Sequence, residues 1–91
     1  MRGEIRATEN APLDRVWIAV SQAMNDLPFA ITRRVKEARS AELIARSTRG
    51  KKIRITLTAV TDNTTAVSIR VGTFGDEALS LLIYDKIKQS F

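Results

Sequence analysis

Hydrophobic and polar positions along this chain fall into seven periodic stretches, and each stretch marks an element. Residues 3–9 alternate, with Ile5 and Ala7 on one side of a short first strand. Asn10-Ala11-Pro12 then reads as a helix start, with Asn10 or Ala11 at the cap and Pro12 in the first turn. Leu13, Val16, Trp17, Val20, Ala23, Met24 and Leu27 follow at spacings of three and four, the apolar stripe of a helix that Pro28 ends. Alternation returns at Phe29, Ile31 and Val35, although Arg33 shares their phase and implies a bulge or an exposed strand end. Ala41, Leu43 and Ala45 define the next strand, Ile53, Ile55, Leu57 and Ala59 the one after, and Val67, Ile69 and Val71 the last. A final helical stripe comprises Ala78, Leu79, Leu82, Ile83 and Ile87.

Gly50 and Asp62-Asn63-Thr64 supply tight turns between successive strands, and short turns force antiparallel neighbours. Every strand has one apolar face, and two helices are available to cover it. The expectation is therefore an α+β domain of order β-α-β-β-β-β-α, an antiparallel five-stranded sheet with both helices on one face. Residues 1–91 form a single domain, with no repeat, linker or low-complexity segment. The opposite sheet face should carry Glu4, Arg6, Thr8, Thr32, Arg34, Glu42, Arg46, Lys52, Arg54, Thr56, Thr58, Ser68 and Arg70.

The junction between the last strand and the last helix, Gly72-Thr73-Phe74-Gly75-Asp76-Glu77, combines two glycines with a helix start. Such glycines can cradle a phosphate, but Asp76 and Glu77 stand in the first turn and would repel it. The lysine and hydroxyl pair of a Walker motif are also missing. Gly72, Phe74, Gly75 and Asp76 are read instead as a structural junction, with Thr73 or Asp76 capping the helix and a positive φ expected at one glycine at least.

Charge changes the picture by its placement. Residues 33–54 hold nine Arg and Lys against Glu37 and Glu42, a net +7, so the rest of the +5 chain is −2. Arg6, Arg34, Arg46, Arg54 and Arg70 each fall out of phase with their strand's apolar positions and should share the exposed sheet face. That face could grip an anionic polymer, or it could be a solvated surface with Arg–Glu cross-strand pairs. Nucleic acid is disfavoured, because the few aromatics fall in the core, the junction loop or the last helix rather than on this face. Leu81, beside Tyr84 on a second side of the last helix, is a candidate partner contact.

Catalysis is not expected. Without histidine or cysteine there is no conventional triad, thiol nucleophile, disulfide or imidazole metal site, and the aspartates fall at helix ends, turns or exposed helix positions. Neither a cofactor nor a metal is expected. No apolar run approaches the roughly 20 residues of a membrane span, and Met1-Arg2-Gly3 leads straight into a polar strand without a signal-peptide pattern.

Ala11-Pro12-Leu13-Asp14-Arg15-Val16-Trp17 resembles the opening helix of the START and Bet v 1-like helix-grip superfamily. That stretch, with Gly50-Lys51-Lys52, Asp62-Asn63-Thr64-Thr65 and Ile69-Arg70-Val71-Gly72-Thr73-Phe74-Gly75-Asp76-Glu77-Ala78-Leu79-Ser80, resembles in the same order the bacterial domain of unknown function 3568 family. The resemblance implies a small periplasmic or envelope-anchored protein, often preceded by a signal or lipoprotein leader. It implies no activity. The leader is missing from this chain, so a cytoplasmic location is the alternative, and any membrane attachment would run through that leader. Leu81 and Leu82 depart from the more polar residues expected in relatives. The functional expectation is a non-enzymatic envelope-associated binding or structural domain, with a small-ligand binder of helix-grip type as the alternative.

Overall fold

The first and last strands of the chain lie side by side, which sets the topology of the sheet. The structure is a computed structural model and describes residues 4–72 and 75–91. Its elements are β1 (Glu4–Glu9), α1 (Leu13–Asp26), β2 (Ala30–Lys36), β3 (Ser40–Arg46), β4 (Lys52–Thr61), β5 (Thr64–Val71) and α2 (Glu77–Gln89). The sheet order is β1-β5-β4-β3-β2, antiparallel throughout. The architecture is the expected α+β one. α2 lies over β1 and β5, α1 over β4 and β5, and the two helices touch each other.

Val16, Val20 and Met24 of α1 and Ile83 and Ile87 of α2 meet Leu43, Ile53, Ile55, Leu57, Ile69 and Val71 of the sheet, all fully buried. The register pairs apolar residues across strands, Leu43 with Ile55 and Ile55 with Ile69, so one continuous apolar face results. Trp17 and Leu79, expected inside, are half-buried at the border of this core.

The N-cap of α1 is Pro12, one residue later than Ala11 and two later than Asn10, so neither of those caps the helix. The Pro12 carbonyl accepts the first helical bond from Val16 N–H at 3.1 Å. Ala11 is buried instead, and its carbonyl accepts from the buried Thr65 hydroxyl at 2.8 Å. Leu27, held extended before Pro28, ends the helix.

β2 brings the main correction to the sequence pattern. Its pairing with β3 shifts between Ile31 and Arg33, a bulge that places Ile31 opposite Ala45 but Arg33 opposite Ile44 and Arg34 opposite Leu43. Beyond the bulge every side chain changes face. Arg33 and Val35 join the outer face, while Arg34 and Lys36 join the face that carries the helices. Arg34 therefore does not lie on the outer face where strict alternation put it. Its Nη2 donates to Ser21 Oγ of α1 at 3.0 Å, its guanidinium lies 5.6 Å from the Trp17 ring centre, and Lys36 pairs with Asp14 at 2.7 Å.

α2 is rotated relative to the expected stripe. Ser80, Ile83 and Ile87 point inward, and Ala78 and Leu82 face solvent, Leu82 at 50% exposure. Tyr84 turns toward β1, where its hydroxyl donates to Glu9. Gly72 and Gly75 both have positive φ, 71° and 84°, as the sharp strand-to-helix reversal requires. Asp76 caps α2, its carboxylate accepting from Leu79 N–H at 3.0 Å. Phe74, the remaining residue of the expected junction, lies outside the described residues.

Candidate anion-binding face

The outer face of the sheet is organised in rows that run across the strands. One row reads Glu4, Arg70, Arg54, Ile44, Arg33 from β1 to β2. A second reads Arg6, Ser68, Thr56, Glu42, Val35. On the opposite side of the first row, nearer the β3–β4 turn, Lys52 stands opposite Arg46. Strand alternation aims all of these side chains away from the helices.

Two carboxylates neutralise part of this surface. Glu42 forms ion pairs with Arg33 Nε at 3.5 Å through Oε1 and with Arg54 Nε at 3.4 Å through Oε2. Glu4 accepts a hydrogen bond from the Ser68 hydroxyl at 2.6 Å and pairs with Arg6 Nε at 3.5 Å. The Ser68 bond is the main cause holding the Glu4 carboxyl below its ordinary range; burial opposes it, and the Arg6 and Arg70 charges reinforce it. Arg6 is thus compensated at the β1 edge.

Beyond these pairs the balance changes. Arg46, Lys51, Lys52, Arg54 and Arg70 line a groove of about 580 Å³ at the β3–β4 turn, with Gly50, Gly72 and Gly75 in its wall. Arg46 Nη1 donates to the Gly50 carbonyl at 2.9 Å, which pins it over the turn. Lys51 pairs with Asp76 at 3.0 Å. The Asp76 carboxyl is held below its ordinary range first by the Leu79 N–H and then by Lys51. Asp76, which Lys51 reaches, also serves the helix cap.

Of the five arginines expected together, the structure brings Arg46, Arg54 and Arg70 into the groove, leaves Arg6 on the same face at the β1 edge, and sends Arg34 to the helix side. Lys52 is the first residue of β4, on the face where alternation put it, Lys51 reaches the groove from the turn before it, and Arg33 joins the face through the bulge. Arg33's phase conflict was the visible signal for the bulge.

Leu81 and Tyr84 do not form a common surface. Leu81 is 44% exposed and lies with Ala78, Leu82 and Asp85 over a shallow depression, whereas Tyr84 is half-buried against Glu9. Glu9 itself has a legible signal in hindsight: it falls in phase with Ile5 and Ala7, on the inward side of β1. The layer between α2 and the sheet, where a helix-grip ligand would sit, is occupied by the fully buried Ile83, Ile87, Ile69 and Val71. Among the described residues no cluster of three potential metal-ligating side chains occurs, and no helix is long and apolar enough to cross a membrane.

A family model described as "Protein of unknown function (DUF3568)" matches residues 1–90. The chain belongs to this family. No curated protein matches it. DUF3568 membership covers both helices and all five strands, and so includes every residue of the basic groove.

Proposed function

We propose that this chain is a non-enzymatic binding domain of the bacterial cell envelope that holds an anionic polymer against the outer face of its sheet. One observation carries the reading: Arg54 and Arg70 stand directly opposite each other on β4 and β5. Like charges at directly opposed positions destabilise a sheet. A domain that needed only a soluble face would gain stability from a threonine or glutamate at either place. Glu42 beside Arg54 and Glu4 opposite Arg70 offset part of this repulsion, a bound polyanion would relieve the rest, and the neighbouring Arg46 and Lys52 extend the same attraction along the hairpin. The envelope placement rests on the family resemblance alone, and fractionation of cells expressing the full-length gene product tests it separately.

Retention on an immobilised polyanion such as heparin tests the binding. Affinity should fall with salt at roughly one log–log slope unit per cation engaged. Arg54→Glu combined with Arg70→Glu should abolish retention with an unchanged circular dichroism spectrum. Retention no greater than the +5 net charge requires, or a double variant eluting as its altered charge alone dictates, overturns the reading.

A further inference from the structure

We propose that this chain forms a symmetric dimer through the free edge of β1. The two sheets join there antiparallel into one sheet of ten strands, and α2 packs against α2 of the second copy above the joint. The inference goes beyond anion binding and does not depend on it.

A sheet edge offers unpaired N–H and C=O groups to a further strand, and the two edges of this sheet differ. β2 is blocked. Its pairing with β3 is bulged between Ile31 and Arg33, and Arg33, Arg34 and Lys36 crowd three cations into its last four residues. Two such edges would repel each other. β1 has no bulge, and all six of its residues, Glu4–Glu9, pair in register with β5. Among the described residues no strand pairs with its other side. The one cation of β1, Arg6, stands between two carboxylates, Glu4 and Glu9. An inward charge on an edge strand ordinarily deters pairing, but Glu9 is already answered by Tyr84 and Lys88 of its own chain.

The helix above β1 supplies the other half of the contact. α1 lies over β4 and β5, and α2 over β5 and β1, so one flank of α2 faces α1 and the other faces outward past β1. Tyr84 and Lys88, which both reach Glu9, mark the outward flank. Glu77 and Leu81 continue it toward the helix start, and the steps from 77 to 81, 84 and 88 are those of a helix–helix seam. A twofold axis at the middle of this seam sets Glu77 against Lys88 of the second copy and Leu81 against its Tyr84. Opposite charges then meet at both ends of the seam. Lys88 gives one of its three N–H donors to Glu9, and its side chain is 51% exposed, which leaves it open to a second carboxylate. Leu81, 44% exposed and directed away from the sheet, fits over Tyr84, which lies low against Glu9.

Spacing agrees with this packing. Adjacent strands lie about 4.8 Å apart, and α2, over β1 and β5 together, sits about 2.4 Å inside β1, so joining two β1 edges puts the α2 axes about 9.6 Å apart. Packed helices sit about 8–10 Å apart. Strands and helices can therefore close about a single axis. That axis is perpendicular to the sheet, so the two outer faces end side by side and uncovered.

Sedimentation equilibrium from micromolar to millimolar concentration should show a monomer passing reversibly to twice its mass. Amide hydrogen exchange at alternate residues of β1 should slow over the same range. Glu77→Lys should weaken the dimer about tenfold, because symmetry removes the ion pair twice. Leu81→Glu should weaken it about a hundredfold, by placing a charge inside the seam. Leu82→Glu is the control: Leu82 is the more exposed of the two leucines, at 50%, but lies on the side of α2 opposite Tyr84, and its loss should change nothing. All three variants should keep the wild-type circular dichroism spectrum, since each replaces an exposed side chain. A monomer throughout the range overturns the proposal. Equal weakening by the two leucine variants overturns the seam, and a dimer whose β1 amides exchange as fast as the monomer's overturns the joined sheet.

Discussion

Tyr84 of α2 donates its hydroxyl proton to Glu9 Oε2 at the end of β1, 2.5 Å away and 75 residues distant in sequence. Lys88, one helical turn further on, reaches the other oxygen of the same carboxylate at 3.0 Å. Glu9 is 5% exposed, so both of its oxygens need partners, and α2 supplies them. The pair closes the sheet edge against the last helix, because β1 has a neighbouring strand on one side only.

The chain has a single tyrosine, so its ultraviolet absorbance titration reads Tyr84 alone. The Glu9 hydrogen bond, then burial, then the Glu9 charge push the phenol up to about 12 from an ordinary 10. The folded protein should ionise near that value, and Glu9→Gln should bring the midpoint down toward the ordinary one. A folded-state value above the unfolded one means that the neutral phenol favours the fold. This contribution is complete below pH 10 and is lost as the pH rises through 12, so alkaline unfolding should be steeper than in Tyr84→Phe. A wild-type midpoint at the ordinary value would show that the bond does not form in solution.

At the junction before α2, Gly72 has φ 71° and, among the described residues, a hypothetical Cβ would meet Lys51 Cδ at 3.9 Å. The space is adequate and the backbone angle is not. Gly72→Ala should therefore cost on the order of 1 kcal/mol through strain alone. Chemical denaturation should show a lower midpoint at unchanged slope. Full stability in the alanine variant would show that the turn is free to adopt another conformation.

Arg34 and Arg54 offer an internal control for the two faces of the sheet. Arg34 stacks near Trp17 and donates to Ser21 on the helix side, whereas Arg54 lines the groove on the outer side. Arg34→Gln should change the fluorescence of the single tryptophan and leave polyanion binding intact. Arg54→Gln should do the reverse. Equal losses of binding in the two variants would mean that attraction follows net charge and not the groove.

The sequence by itself determined the class, the order of elements and most of the core, because period and turn chemistry are local properties. Alternation at Ile53, Ile55 and Leu57, helical spacing at Val16, Val20 and Met24, and the glycines at 72 and 75 each act within a few residues of chain. The tertiary structure decided the rest. The β2 bulge moved Arg34 off the outer face, since register depends on what the partner strand offers and one inserted residue reverses every side chain beyond it. The rotation of α2 exposed Leu82 and buried Ser80, because the helix seats Ile83 and Ile87 in the core and turns Tyr84 toward Glu9 of a strand remote in sequence. The sequence showed a basic segment. Strand register made it a groove, by setting Arg54 against Arg70 and Arg46 against Lys52 on strands that the two tight turns already made neighbours.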